Sequence, residues 1–145
     1  MIRTATEEDL FDLTILCREF IKEVGPPLKF DKGKIETFLT NAILSDAWVV
    51  LVMESEGEVT GLLVGVVSEH PFLPMVMANE LGWFVSREKR GSIEAIKLIK
   101  HFEQWAKNIG ANFISIADEA KLNDISKIYQ RLGYNLMERT YTKDI

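Results

Sequence analysis

The sequence predicts one α/β domain in which helices cover both faces of a mixed sheet. Residues 80–85 show the apolar pattern of a buried strand, and apolar residues recur at helical spacing from residue 93 onward. Two further strand-like runs flank a polar turn earlier in the chain, and two helical segments precede them. A helical crossover joins parallel strands and a short turn joins antiparallel ones, so the expected element order is β-α-α-β-β-β-α-β-α-β. The domain is expected to span residues 1–145.

Length, charge and composition are typical of a cytoplasmic protein with its own core. A chain of 145 residues can bury a core without cross-links, and its single cysteine cannot form a disulfide within the chain. The sequence shows neither a secretory signal pattern at its start nor an apolar run of membrane-spanning length. A net charge of −5 disfavours nonspecific binding to nucleic acid or to a membrane. The spacing of cysteine and histidine does not indicate a metal site.

The N-terminal segment predicts one strand followed by two helices. Residues 2–5 form the strand, and Thr6 with Asp9 resembles a capping box at the start of the first helix. A Gly-Pro-Pro run ends that helix, and Asp31 is placed to cap the second one. Cys17 lies in the apolar stripe of the first helix, where we expect a small core residue rather than a reactive thiol.

A hairpin and an irregular loop are expected before the central strand. Residues 48–54 and 58–68 have the composition of strands and are joined by a polar turn. Gly61 and Gly65 in the second strand mark a bulge, a close approach of backbone or ligand, or crowding against a large side chain. Residues 69–77 contain two prolines and predict an irregular loop, which either covers a substrate or is a plain connection.

The central strand is followed by a long amphipathic helix and then by shorter elements. The helix is predicted from apolar residues that repeat every three to four positions, namely Ile93, Ile96, Ile99, Phe102, Ala106 and Ile109. Residues 113–116 predict a strand, and apolar spacing over residues 122–132 predicts a short helix that Gly133 ends. Residues 134–142 can then return to the sheet as a last strand.

Positive charge is concentrated between the central strand and the long helix. Arg87, Lys89 and Arg90 lie where that helix exposes its first amide groups and the positive end of its dipole. Gly91 and Ser92 carry little or no side chain, which allows an anion to approach the backbone closely. The cluster therefore predicts a phosphate-binding site, and the alternative is a solvated basic turn.

This order of elements resembles the GCN5-related N-acetyltransferase (GNAT) superfamily over nearly the whole chain, with compact bacterial and phage members most like it. The stretch corresponding to the family's acetyl-CoA signature is Arg90, Gly91, Ser92, Ile93, Glu94 and Ala95. Arg90 and Ala95 fit the signature, whereas Ile93 stands where the family usually has glycine. A second family signature, a helix before a leucine-glycine-aromatic turn, corresponds to residues 128–134.

The resemblance implies an enzyme that transfers an acetyl group from acetyl-CoA to a primary amine of a small molecule or peptide. The family's reaction proceeds by direct attack and needs no metal. The coenzyme-binding residues that the resemblance implies are Trp83, Phe84, Val85, Arg90, Gly91, Ser92, Ile93 and Ala95. The backbone of the first three would hold the thioester and meet its developing oxyanion.

Two side chains are candidates for acid–base chemistry. Glu80 lies on the central strand, where many members of the family place a base that takes a proton from the amine. Tyr129 occupies the position at which the family often has the acid that protonates the departing thiolate. The structural alternatives are a salt-bridged carboxylate at the edge of the core and a tyrosine that only packs.

Other functions remain open at this point. One is an acyl-CoA-binding or regulatory module without catalytic activity, and another is a nucleotide-binding domain, which is disfavoured because P-loop and dinucleotide motifs are absent. Four acidic residues indicate a negative bias around the acceptor, which would suit a polyamine or a lysine side chain: Glu69, Glu80, Asp118 and Glu119. A homodimer is compatible with the family, whose members associate through sheet edges and helix faces.

Overall fold

The computed structural model describes residues 1–118 and 124–145 and shows five strands and four α-helices within them. In chain order these are β1 (Ile2–Thr4), α1 (Leu10–Val24), α2 (Lys32–Ile43), β2 (Trp48–Ser55), β3 (Glu58–Glu69), β4 (Val76–Val85), α3 (Ile93–Asn108), β5 (Phe113–Ser115) and α4 (Ser126–Arg131). Short 3-10 turns precede α1 and α3. Among the described helices, none is both long and apolar enough to cross a lipid bilayer.

The strands form one mixed sheet in the order β1-β2-β3-β4-β5. The first four strands pair antiparallel with their neighbours, and β5 pairs parallel to β4 through the crossover that α3 makes. This arrangement confirms the predicted mixed sheet and its hairpin. The helices lie on both faces, as the sequence predicted, because each face buries its own apolar cluster.

The strand predicted at residues 134–142 is not formed. The backbone there has no strand pairing, and the side chains of residues 135–145 are exposed. The neighbouring β5 offers an edge of only three residues, which leaves little backbone for a further strand to pair with. The start of the helix predicted at residue 122 lies outside the described residues.

Each face of the sheet is covered by a separate apolar cluster. Under α1 and α2 the cluster includes Leu13, Leu16, Leu39, Ala42, Val50, Val52, Leu62, Val64 and Phe84. Under α3 it includes Val49, Leu51, Met53, Leu63, Ala78, Val85, Ala95, Leu98, Ile99, Phe102 and Ala106. The buried stripe of α3 therefore begins at Ala95. The prediction that Ile93 starts this stripe is wrong, because its side chain is 71% exposed.

The two glycines of β3 lie where the sheet is crowded and irregular. A Cβ atom at Gly65 would come within 2.3 Å of the Phe102 ring, and one at Gly61 would contact Val85 and Met53 at 3.2–3.3 Å. The pairing register of β3 with β4 shifts at Gly65, which places a bulge in β4 around Leu81. The sequence offered a bulge and crowding as two explanations for glycine in this strand, and both are present at Gly65.

The N-terminal turn is held by the capping box that the sequence predicted. Thr6 and Asp9 exchange backbone and side-chain hydrogen bonds at the start of α1. Arg3 donates two hydrogen bonds of 2.8 Å to Asp9 and a third, of 3.1 Å, to Glu54 of β2. The Arg3 guanidinium lowers the pKa of Asp9 from 3.8 to about 2. This network joins β1, α1 and β2.

Candidate functional site

A groove of about 830 Å³ follows one edge of β4 from the start of α3 to α4. It exists because β5 pairs only with Met77, Ala78 and Asn79, so β4 has no strand beside it on this edge from Glu80 onward within the described chain. Except for the Val85 carbonyl, which accepts a hydrogen bond from Arg90, the backbone groups that point to that edge are therefore available to a ligand. The groove is lined along β4 by Glu80, Leu81, Gly82, Trp83, Phe84 and Val85.

The N-terminus of α3 forms one end of the groove, with Gly91, Ser92 and Ala95 among the lining residues. Ser92 is the N-cap, and its hydroxyl accepts a hydrogen bond of 3.2 Å from the amide of Ala95. Gly91 has a φ of 73°, and no atom would lie within 4 Å of a Cβ there. Within the described chain the amides of Ile93 and Glu94 donate no hydrogen bond, and they lie at the positive end of the helix dipole, which suits an anion.

Ile93 leaves this end of the groove open. Its exposed side chain is not among those that line the groove, although the sequence places it where glycine is usual. Helical side chains project away from the axis, so an N-terminal side chain can point to solvent while its amide faces the groove. Only the backbone of Ile93 is therefore positioned to contribute to a site here.

Arg90 is held at the same end by three interactions. Its terminal nitrogen donates to both carboxylate oxygens of Glu23 at 3.0 Å, and its Nε donates to the carbonyl of Val85 at 2.7 Å. Its guanidinium also lies over the Phe84 ring, 5.0 Å from the centroid. Arg87 pairs with the same Glu23 carboxylate at 3.3 Å. Glu23 of α1 therefore neutralises part of the positive cluster.

A carboxyl group and a phenol meet at the inner end of the groove around Ala117. Glu80 is 9% exposed, and its carboxylate accepts a hydrogen bond of 3.0 Å from the amide of Ala117. Burial raises the pKa of Glu80 from 4.5 to about 7, against the opposing effect of that hydrogen bond. The Tyr129 hydroxyl donates to the carbonyl of Ala117 at 2.8 Å.

The Tyr129 ring packs between two other aromatic rings. Its centroid lies 6.2 Å from that of Trp83 and 5.9 Å from that of Tyr134. Burial raises the pKa of the Tyr129 hydroxyl far above its usual value, and the negative charge of Glu80 adds to the effect. The indole nitrogen of Trp83 is buried without a hydrogen-bond partner among the described residues.

Known structures resemble this chain over its full length. A transcriptional regulator from Bacillus halodurans is 17% identical with a TM-score of 0.81, and the match covers 100% of this chain and 99% of that one. An aminoglycoside antibiotic 6'-N-acetyltransferase from Acinetobacter haemolyticus is 20% identical with a TM-score of 0.78, covering 100% and 99%. AAC(6')-Iy, in complex with the bisubstrate analogue CoA-S-monomethyl-acetylneamine, is 18% identical with a TM-score of 0.81, covering 100% and 97%.

The chain has the GNAT fold. This confirms the fold that the sequence resemblance implied. No protein-family model and no curated protein matches the sequence. The likeness therefore rests on structure and extends over the whole chain.

Within the GNAT fold, the predicted site residues fall into two groups along one groove. Glu80 and Tyr129 lie at the inner end, and Arg90, Gly91, Ser92 and Ala95 lie at the outer end. The strand segment Trp83 to Val85 joins the two ends. All of these residues except Tyr129 line the groove directly, and Tyr129 lies behind Ala117 and Trp83.

The four acidic residues do not form one cluster in the GNAT fold. Glu69 pairs with Val76, four rungs along the ladder from the Gly65–Glu80 pair and thus about 13 Å away. Asp118 lies next to Ala117 and lines the groove, whereas Glu119 lies outside the described residues. The described part of the chain also lacks a group of three or more potential metal ligands.

Sequence reasoning missed Glu23 and Ala117. Glu23 lies near the C-terminal end of α1, 67 positions from Arg90, and no spacing links the two. Ala117 acts only through its backbone, which has no residue-type signature. These contacts arise from tertiary structure, so a pattern along the chain could not have found them.

Proposed function

We propose that the chain transfers an acetyl group from acetyl-CoA to a primary amine of a small molecule or peptide. One observation supports this most: a single groove joins the N-terminus of α3 to a carboxyl group of raised pKa along the free edge of a strand. The groove fits a long ligand with a negative end and a reactive end. The single cysteine, half-buried Cys17, cannot form a disulfide within the chain and suits a reducing compartment such as the cytoplasm.

In this proposal the outer end of the groove holds the diphosphate. The amides of Gly91 and Ile93 and the first turn of α3 donate to it, and Arg90 supplies a guanidinium. Arg90 has to share its hydrogen bonds between the phosphate and Glu23, because both are negatively charged hydrogen-bond acceptors. The backbone of Trp83, Phe84 and Val85 holds the amide-containing arm and aligns the thioester.

Glu80 acts as the base in this proposal. With a pKa of about 7, it is ionised in roughly half of the molecules at neutral pH and can accept a proton. The neutral amine attacks the thioester carbonyl, the carbon–sulfur bond breaks, and the proton of the attacking nitrogen passes to Glu80. Backbone amides on the free edge of β4 stabilise the oxyanion that forms on the way.

Tyr129 supplies the proton to the departing thiolate in this proposal. A hydroxyl of such high pKa is a weak acid while Glu80 is ionised, because the nearby negative charge opposes loss of its proton. Once Glu80 has taken the proton of the amine, that charge is gone and the pKa of Tyr129 falls. The Tyr129 hydroxyl therefore becomes a stronger acid at the step in which the thiolate departs.

An acyl-CoA-binding module without catalysis is the second candidate. Glu80 and Tyr129 both form hydrogen bonds with the backbone of Ala117, and these hydrogen bonds would stabilise the fold even without catalysis. A transcriptional regulator shares the fold, which is consistent with a binding function. An enzyme releases free thiol from acetyl-CoA when an amine is present, whereas a binding module does not, so one experiment distinguishes the two candidates.

Thermal unfolding with acetyl-CoA, CoA, ATP and NAD tests the groove. Saturation at about 100 times the dissociation constant adds about 2.7 kcal/mol to the free energy of unfolding, and we expect it only with the two CoA species. Arg90→Ala should lose most of this effect, while Lys97→Ala, which removes a charge on the exposed face of α3, should keep it. Release of free thiol with a panel of amines then distinguishes the enzyme from the binding module.

A further inference from the structure

A second cavity lies on the opposite face of β4, beneath α1 and α2. It measures about 400 Å³, within the range of small-molecule sites. Its walls are mainly apolar, and the residues that line it from the two helices are Cys17, Phe20, Ile21, Ile35, Phe38 and Leu39. Leu28 lies in the segment between α1 and α2, lines the cavity and is 42% exposed, so it forms part of the opening.

The two cavities meet at the bulge of β4. Leu81, Gly82 and Trp83 line both of them. The space beside Gly82 is open, because no atom would lie within 4 Å of a Cβ at that position, and the edge of β4 there has no paired strand among the described residues. Gly82 also lies two residues after Glu80 and directly before the segment proposed to align the thioester. A molecule in the second cavity can therefore present one end at Gly82.

Charge in the second cavity is nearly absent. Among the described residues that line it, Lys29 is the only one with a charged side chain, and none carries a carboxylate. Burial raises the pKa of the Cys17 thiol to about 11, so that side chain is neutral. A polycation would find no counter-charge here and would be repelled by Lys29. An apolar group would instead bind favourably, because it would move from water into contact with apolar walls.

We propose that the acceptor is a primary amine on an apolar body, of the arylalkylamine or alkylamine class, and that the second cavity holds this body. The proposal rests on the acetyl transfer proposed above and names its substrate class. The amine reaches the thioester past Gly82 at the free edge of β4, while the apolar part packs between Phe38, Leu39 and β4. A polyamine or a lysine side chain, the acceptor expected from the acidic residues, matches this surface poorly.

The experiment measures thiol release from acetyl-CoA with 2-phenylethylamine, a series of straight-chain alkylamines, spermidine and a lysine-containing peptide. Each methylene group that enters the cavity should raise kcat/KM about fourfold, as about 0.8 kcal/mol per methylene implies. Leu28→Glu places a carboxylate at the opening and should lower kcat/KM for 2-phenylethylamine at least about tenfold. Leu44→Glu is the matched control, since Leu44 is 69% exposed and lies outside both cavities.

Binding of acetyl-CoA and of 2-phenylethylamine is measured separately by calorimetry, so that the two proposals fail in different ways. The inference is supported if turnover rises with the length of the alkyl chain of the amine and falls in Leu28→Glu but not in Leu44→Glu. Turnover with spermidine or the peptide but not with apolar amines overturns the inference and leaves the acetyl transfer standing. Binding of acetyl-CoA with no turnover on any amine overturns both, and equal losses in the two glutamate variants overturn the inference.

Discussion

Replacing Glu80 with glutamine should make the protein more stable at high pH. The carboxyl group has a pKa of 4.5 when unfolded and about 7 when folded. Between these values the folded state holds a proton that the unfolded state has released, so raising the pH destabilises the wild-type fold. Each pKa unit corresponds to 1.36 kcal/mol, which gives a penalty of about 3 kcal/mol at pH 8 and almost none at pH 4.

Urea denaturation followed by tryptophan fluorescence measures this difference at pH 4, 6 and 8. Other titrating groups contribute equally to both proteins, so the wild-type minus Glu80→Gln difference isolates Glu80. The glutamine keeps an acceptor for the amide of Ala117, so the hydrogen bond is preserved. Stability differences that do not change with pH would refute the raised pKa. In turnover, the wild type should gain activity as the pH rises through about 7, and the variant should lack this rise.

Three further changes test other parts of the site. Tyr129→Phe should lower kcat about 100-fold with little change in the binding of acetyl-CoA, and wild-type turnover would assign the ring to packing alone. Glu23→Gln should tighten CoA binding by up to about tenfold in calorimetry, because it frees Arg90; weaker binding would mean that Glu23 only positions Arg90. Gly65→Ala should lower the free energy of unfolding by about 1 to 3 kcal/mol, whereas Gly82→Ala should change it little.

Local rules along the chain predicted most of the fold. The capping box at Thr6 and the N-cap at Asp31 are side-chain signals that act within three residues, and both are present. The change from strand to helical spacing at residues 87–92 marked the turn at which we propose the anion site. These features are local, so the sequence contains enough information to place them.

Features that depend on distant neighbours were not predictable in the same way. Spacing suggested that Ile93 is buried, but its position at the first turn of α3 puts it beyond the edge of the sheet. The strand predicted at residues 134–142 does not form, because β5, the strand it would pair with, is only three residues long. The local sequence of residues 134–142 contains no information about the length of β5. The pairing of Arg90 with Glu23 and the burial that raises the pKa of Glu80 likewise arise only in the folded chain.

Backbone amide chemical shifts, recorded while CoA is added, test the central claim most directly. If the N-terminus of α3 and the free edge of β4 hold the coenzyme, the amides of residues 91–95 and 83–85 should shift most. The changes should saturate at one CoA per chain and be weaker in Arg90→Ala. An unchanged spectrum, or shifts concentrated away from these two segments, would contradict the account.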